Sequence, residues 1–117
     1  MKLLTKKIRA DLLKAGDAAT ETGESGPVLV KFFTPDANAT WLVTDATPWP
    51  DNPRDLRLFG LADLGDGQPE ICYFMLSDIE SIRGAMGLPV ERDRWFTPNK
   101  SLADYAEEAR ARGHVYA

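Results

Sequence analysis

Three glutamates, a tyrosine and two arginines in the second half of the chain are the residues best suited to acid–base chemistry. They are Glu70, Tyr73, Glu80, Arg83, Glu91 and Arg92. Two carboxylates and an arginine lining one cleft could move protons and hold an anionic group. Glu80 and Arg83 are three residues apart, so on a helix they could equally form a surface ion pair. The set is therefore a speculative cleft, and no catalytic residue is assigned.

Other catalytic chemistries have little support in the sequence. We expect Cys72, the one cysteine, to be buried and unreactive in a strand, and His114, the one histidine, is the fourth residue from the end of the sequence. Together they cannot supply the four ligands of a structural zinc ion. Aspartates near predicted hairpin ends could hold magnesium, but in turns such side chains usually accept backbone N–H groups. We expect no metal site and no cofactor, and the residues lean against an enzyme.

A proline-rich segment, DATPWPDNPRD at 45–55, predicts a surface that contacts a protein partner. Prolines lower the entropy lost on docking, and tryptophan is enriched among the residues that dominate interfaces. The candidate partner-binding residues are Trp49, Asp51 and Arg54. The alternative is that Trp49 folds back over the sheet as a lid on the core.

The basic N-terminal segment supplies the candidate residues for nucleic-acid binding. The first ten residues hold four bases and no acid, and the candidates are Lys6, Lys7 and Arg9. A basic helix face could contact phosphates, and exposed aromatic rings could stack on bases. The whole chain, however, has 18 acidic and 14 basic residues and a net charge of −4, which opposes nucleic-acid binding. The alternative is a basic face that contacts only water.

Length and composition predict one globular unit. The 117 residues are 44% hydrophobic and 27% charged, so we expect a single α+β domain over residues 1–117. No apolar run approaches the roughly 18 residues of a membrane helix, so no membrane contact is expected. One cysteine and the lack of a secretory signal favour the cytoplasm. The sequence carries no signal for an oligomeric state.

Hydrophobic periodicity predicts an antiparallel β-meander of four to five strands flanked by helices. The first helix should begin after Thr5 and end near Ala15, with Gly16 as its stop. The expected strands are 28–33, 40–44, 56–63 and 71–76, and 90–96 could be a fifth. The fourth strand is apolar on both faces and should be covered on both. Trp95 is expected to pack in the core.

Two capping patterns predict where the later helices begin. Ser77 and Glu80 match a capping box, which places a short helix directly after the fourth strand. Ser101 opens a C-terminal helix that should end at Gly113. Its expected buried face comprises Leu102, Tyr105, Ala106 and Ala109.

Six stretches of the chain together resemble a known family. They are MKLLTK at 1–6, VKFFTPD at 30–36, TWLVT at 40–44, LFGL at 58–61, EICYFMLSDIESIRG at 70–84 and GLPVERD at 87–93. The family that they resemble is the bacterial one catalogued as domain of unknown function 2958. The resemblance implies a bacterial cytoplasmic protein carried by plasmids, phages or integrated conjugative elements, and it implies no particular activity.

Taken together, the residues and the resemblance favour a non-enzymatic accessory protein of a mobile element that binds a protein partner. A nucleic-acid-binding module that uses the basic first helix is the alternative. A small carboxylate-dependent enzyme is the least favoured hypothesis.

Overall fold

A computed structural model describes residues 2–117, which contain three helices and five strands. The helices are α1 (Lys6–Thr22), α2 (Leu76–Ser81) and α3 (Leu102–Arg112). The strands are β1 (Val30–Phe33), β2 (Thr40–Trp49), β3 (Asn52–Asp63), β4 (Glu70–Met75) and β5 (Glu91–Arg92). They form one antiparallel sheet in the order β4-β3-β2-β1-β5, which confirms the predicted α+β meander. Within residues 2–117, no helix is long and apolar enough to cross a membrane.

The sheet separates two hydrophobic clusters because successive side chains of a strand point to opposite faces. One cluster joins Phe32, Trp41, Val43 and Leu58 of the sheet to Leu12 of α1 and Ile79 of α2. The other joins Leu42 and Leu61 to Leu102, Tyr105, Ala106 and Ala109, which is the predicted buried face of α3. Helices α1 and α2 therefore share one face of the sheet, and α3 covers the other.

Gly16 lies inside α1, so the predicted helix stop at this residue is wrong. The helix continues to Thr22 and ends at Gly23, whose φ of 76° lies in the left-handed region. A Cβ at Gly16 would lie 1.9 Å from the carbonyl oxygen of Ala46 in β2. Glycine is therefore needed at this position because the helix and the strand approach closely.

The segment 45–55 is a tight hairpin and not the long loop that its prolines predict. Strand β2 extends to Trp49 and β3 begins at Asn52, which leaves two residues between them. The register shifts next to Pro48, and proline is tolerated at such irregular places in a sheet. Strand β2 is therefore longer at its end, and β3 at its start, than the predicted strands 40–44 and 56–63.

The two predicted capping patterns have different outcomes. Ser101 caps α3 as predicted, because its hydroxyl accepts the N–H of Asp104 at 3.1 Å. Ser77 does not cap α2, because the helix begins at Leu76, two residues earlier than predicted, with Met75 at its N-cap position and no side-chain cap. The Ser77 hydroxyl instead donates to Oδ2 of Asp55 at 2.6 Å.

Two segments are more exposed than the sequence predicts. Strand β4 is an edge strand, and Tyr73 on it is 58% exposed. Trp95 is 87% exposed, because the chain turns after the short β5 and Asp93 accepts the N–H of Trp95 in that turn. The expected cover on both faces of β4 and the expected core role of Trp95 are therefore wrong.

We predict that Gly16→Ala destabilises the protein although alanine is the better helix former. The new Cβ would overlap the Ala46 carbonyl oxygen, and such overpacking costs about 1–3 kcal/mol of the free energy of unfolding. Urea denaturation followed by circular dichroism measures this loss. Gly26→Ala is the matched control, because a Cβ there meets nothing within 4 Å. A midpoint that stays unchanged or rises in Gly16→Ala would contradict the requirement for close packing.

Candidate functional site

A groove lies where the start of α1, the β2–β3 hairpin, α2 and β5 meet. Its volume is about 580 Å³. Five cationic side chains line it: Lys2, Lys6, Arg9, Arg54 and Arg92. The remaining lining residues are Leu3, Leu4, Thr5, Leu76 and Glu80. We call this site the basic groove.

The start of α1 positions two of the groove cations. Thr5 caps the helix, since its side-chain oxygen accepts a backbone N–H of the first turn at 3.1 Å. Lys6 and Arg9 are three residues apart and therefore share a helix face, which lines the groove. Lys7 is not a lining residue. It pairs with Asp11 at 2.8 Å, and that hydrogen bond and charge raise the pKa of Lys7.

Backbone carbonyl oxygens hold two of the groove arginines in place. Nη2 of Arg9 donates to the carbonyl oxygens of Pro53 at 3.3 Å and Arg54 at 3.5 Å. Nη1 of Arg92 donates to the carbonyl oxygen of Leu3. A guanidinium has five N–H donors, so each arginine keeps several for another acceptor.

Within residues 2–117, no carboxylate forms an ion pair within 4 Å of a groove cation. The ion pairs among residues 2–117 are Lys7–Asp11, Lys31–Asp93 and Lys100–Glu108. None of them includes a cation of the basic groove, and Glu80 is the single acidic residue in the lining. Because the chain as a whole carries a net charge of −4, the groove is a local positive region on an acidic molecule. Such a region attracts anionic segments.

Asp55 joins two walls of the basic groove. Its carboxylate accepts the Ser77 hydroxyl at 2.6 Å and the Ser77 N–H at 3.0 Å. The neighbouring residues Arg54 and Leu76 both line the groove, so these bonds hold the hairpin against α2. Burial acts to raise the pKa of Asp55. The hydrogen bonds from Ser77 and Leu56 and the charge of Arg9 together outweigh burial, so the pKa of Asp55 is lowered.

The speculative catalytic set is divided between the two edges of the sheet. Glu70 and Tyr73 lie on β4, whereas Glu91 and Arg92 lie on β5 at the other end of the strand order. Four strand spacings separate these edges, a distance of about 19 Å. The guanidinium carbon of Arg57 instead lies over the Tyr73 ring, 4.1 Å from the ring centre. The structure therefore does not assemble these residues into one cleft.

The other two members of the catalytic set also have separate surroundings. Arg83 donates to the backbone carbonyl oxygens of Glu80 at 2.9 Å and Ile82 at 2.8 Å. It makes no ion pair with the Glu80 carboxylate, so the possible surface pair between them is not formed. Glu80 instead lines the basic groove together with Arg92. These two are the only members of the set that share a site in the described chain.

The partner-binding candidates lie on the β2–β3 hairpin, and one of them is a lining residue of the basic groove. Arg54 lines it, and Asp51 is exposed in the hairpin turn. Trp49, at the end of β2, is 37% exposed. The side chain is therefore partly buried and partly in contact with water. Trp49 borders the turn that leads to Arg54.

A second cavity of about 580 Å³ lies beside the end of α3 and includes His114. Its charged side chains already have partners. Lys31 pairs with Asp93 at 3.6 Å, and Asp63 accepts the N–H of Val115 at 2.9 Å. This cavity therefore lacks the uncompensated charge that distinguishes the basic groove.

The residues that could act as a nucleophile or hold a metal have other roles. Burial, followed by the charge of Glu70, raises the pKa of Cys72, which keeps this half-buried thiol protonated. Within residues 2–117, no group of three or more histidine, cysteine, aspartate or glutamate side chains is placed to hold a metal ion. Asp36, Asp63 and Asp66 accept backbone N–H groups.

Five residues of the basic groove belong to three separate candidate sets in the sequence. Lys6 and Arg9 belong to the nucleic-acid set, Arg54 to the partner-binding set, and Glu80 and Arg92 to the catalytic set. Only folding brings these distant segments together, so no local pattern could reveal the groove. The excess of bases in the first ten residues is the one signal that pointed to it.

Fold and groove together define an α+β protein with one anion-attracting surface. The family model described as protein of unknown function DUF2958 matches residues 3–116. The chain therefore belongs to this family, as the resemblance in its sequence indicates. No curated protein and no solved structure matches the chain. Because the family description assigns no activity, the function has to be argued from the site itself.

We predict that Asp55→Asn destabilises the protein at neutral pH and reduces its sensitivity to acid. The stability that an ionised Asp55 contributes is fully present above its unfolded pKa of about 3.8 and is lost as pH falls through the lower folded pKa. Weakening the bonds to Ser77 should cost about 1–3 kcal/mol of unfolding free energy at neutral pH.

Urea denaturation of Asp55→Asn at neutral pH and at about pH 3 tests this prediction. Asp51→Asn is the control, because it makes the same change at an exposed position of the same hairpin. Equal acid sensitivity in wild type and Asp55→Asn would show that Asp55 does not supply the pH-dependent stability.

Proposed function

We propose that the protein is a non-enzymatic accessory protein of plasmids, phages or integrated elements. It acts by binding a protein partner through the basic groove and the adjoining residues Trp49, Asp51 and Arg54. The observation that carries the proposal is the set of five cations without an ion pair, beside three leucines, in a chain of net charge −4. The mobile-element setting rests on the family resemblance.

The lining of the groove favours a protein partner over nucleic acid. Protein interfaces combine apolar contacts with a polar rim, and the groove offers leucines among charged side chains. None of its lining residues, all within 2–117, is aromatic, so nucleic-acid bases find no ring there to stack on. Trp49 on the β2–β3 hairpin adds a residue type that often dominates binding energy.

Nucleic-acid binding is the second candidate function. Lys6 and Arg9 share a face of α1, and Arg54 adds a third cation to the same groove. Lys7, which the sequence places in this set, is instead paired with Asp11. Binding of this kind would weaken steeply with added salt, because phosphate contacts release counterions.

We predict that Lys6→Glu lowers capture of the protein partner by about tenfold, because it reverses a charge in the groove. The tagged protein is incubated with nuclease-treated bacterial lysate, and bound proteins are identified by mass spectrometry. Each identified protein is then purified and its affinity is measured directly. Lys14→Glu is the matched control, since it makes the same change on α1 outside the groove lining. Arg54→Glu and Trp49→Ala should also weaken the same partner.

Two results would contradict the proposal. Equal affinity of Lys6→Glu and Lys14→Glu for the partner would remove the groove from the binding surface. Capture that disappears after nuclease treatment would support the nucleic-acid alternative instead.

A further inference from the structure

The guanidinium groups of Arg9 and Arg92 are held in place in a way that suits a carboxylate. Carbonyl oxygens fix one nitrogen of Arg9 and one of Arg92, and neither guanidinium has a carboxylate within 4 Å. A planar guanidinium binds a carboxylate through two parallel hydrogen bonds. Because these side chains are already held in place, they lose little conformational entropy when an anion binds.

The leucines of the groove limit the apolar part of its ligand. Leu3 and Leu76 are each only 4% exposed, and Leu4 is half-buried. The apolar surface that they offer is therefore small, enough for one side chain of a partner. An amphipathic helix presents several apolar side chains along one face, so it would leave most of them uncovered here.

We infer that the basic groove binds an extended acidic segment of a partner protein, with carboxylates on either side of one apolar residue. The inference rests on the proposed function and specifies the partner's chemistry. The carboxylates meet Arg9 and Arg92, which are held on different walls of the groove. Lys2, Lys6 and Arg54 add positive charge around them and favour an acidic flank.

The test uses a short fluorescent peptide with the central sequence Asp-Ser-Leu-Ser-Asp, because alternate side chains of an extended chain share one face. Its binding to the full chain is read by fluorescence anisotropy. We expect about tenfold weaker binding when both aspartates become asparagine, since the charge-assisted bonds are lost. Replacing the leucine with alanine should weaken binding by a smaller factor. Binding of the aspartate peptide should also weaken with added salt, more than that of the asparagine peptide.

Protein variants locate the binding of this peptide. Lys6→Glu and Arg54→Glu should each lower its affinity about tenfold, and Lys14→Glu should leave it within about twofold of wild type. Arg9→Lys keeps the positive charge but loses the planar pair of donors, so it should weaken the aspartate peptide more than the asparagine peptide. Circular dichroism of each variant verifies that it is folded.

Several outcomes would overturn the inference. One is equal binding of the aspartate and asparagine peptides, and another is tighter binding of a labelled single-stranded oligonucleotide than of the peptide. Self-association of the chain that competes with the peptide for the groove would point to a second copy as the occupant. If Lys6→Glu loses the captured partner but no aspartate peptide binds, the inference fails while the proposed function stands. If Lys6→Glu affects neither, both fail.

Discussion

The hydrogen bonds between Asp55 and Ser77 hold two walls of the basic groove together. They attach the β2–β3 hairpin to the start of α2, and the residues next to each partner, Arg54 and Leu76, line the groove. On the same face of the sheet, α1 lies against β2 closely enough that only a glycine fits at position 16. The cations of α1 therefore lie close to Arg54 of the hairpin, and Arg92 of β5 joins them through its bond to the carbonyl oxygen of Leu3.

The positive groove also explains how an acidic protein can attract anionic ligands. Its net charge of −4 makes most of the surface unfavourable to acidic molecules, whereas the groove is a local positive region. This cluster of positive charges costs little stability, because the groove cations contact water and two of the arginines are also hydrogen-bonded to carbonyl oxygens. Specificity can thus arise from where the charges lie and not from their total.

Local patterns in the sequence were sufficient for the element order but not for the contacts between elements. Ser101 could be predicted as a helix cap because its partner, the N–H of Asp104, is three residues away. Ser77 carries the same pattern, yet its hydroxyl bonds to Asp55, which is distant in sequence. Gly16 was misjudged for the same reason, since the Ala46 carbonyl that demands glycine belongs to another element. The groove was missed as a unit because every pairing that builds it is non-local.

The three tryptophans occupy three different environments, which gives the molecule a built-in set of optical reporters. Trp41 is 2% exposed, Trp49 is 37% exposed and Trp95 is 87% exposed. Indole emission shifts to longer wavelength as the ring meets more water, so the three residues should emit at distinguishable positions. Loss of the sheet would change Trp41 most and Trp95 least. Trp49 reports on the hairpin that carries Arg54 of the basic groove.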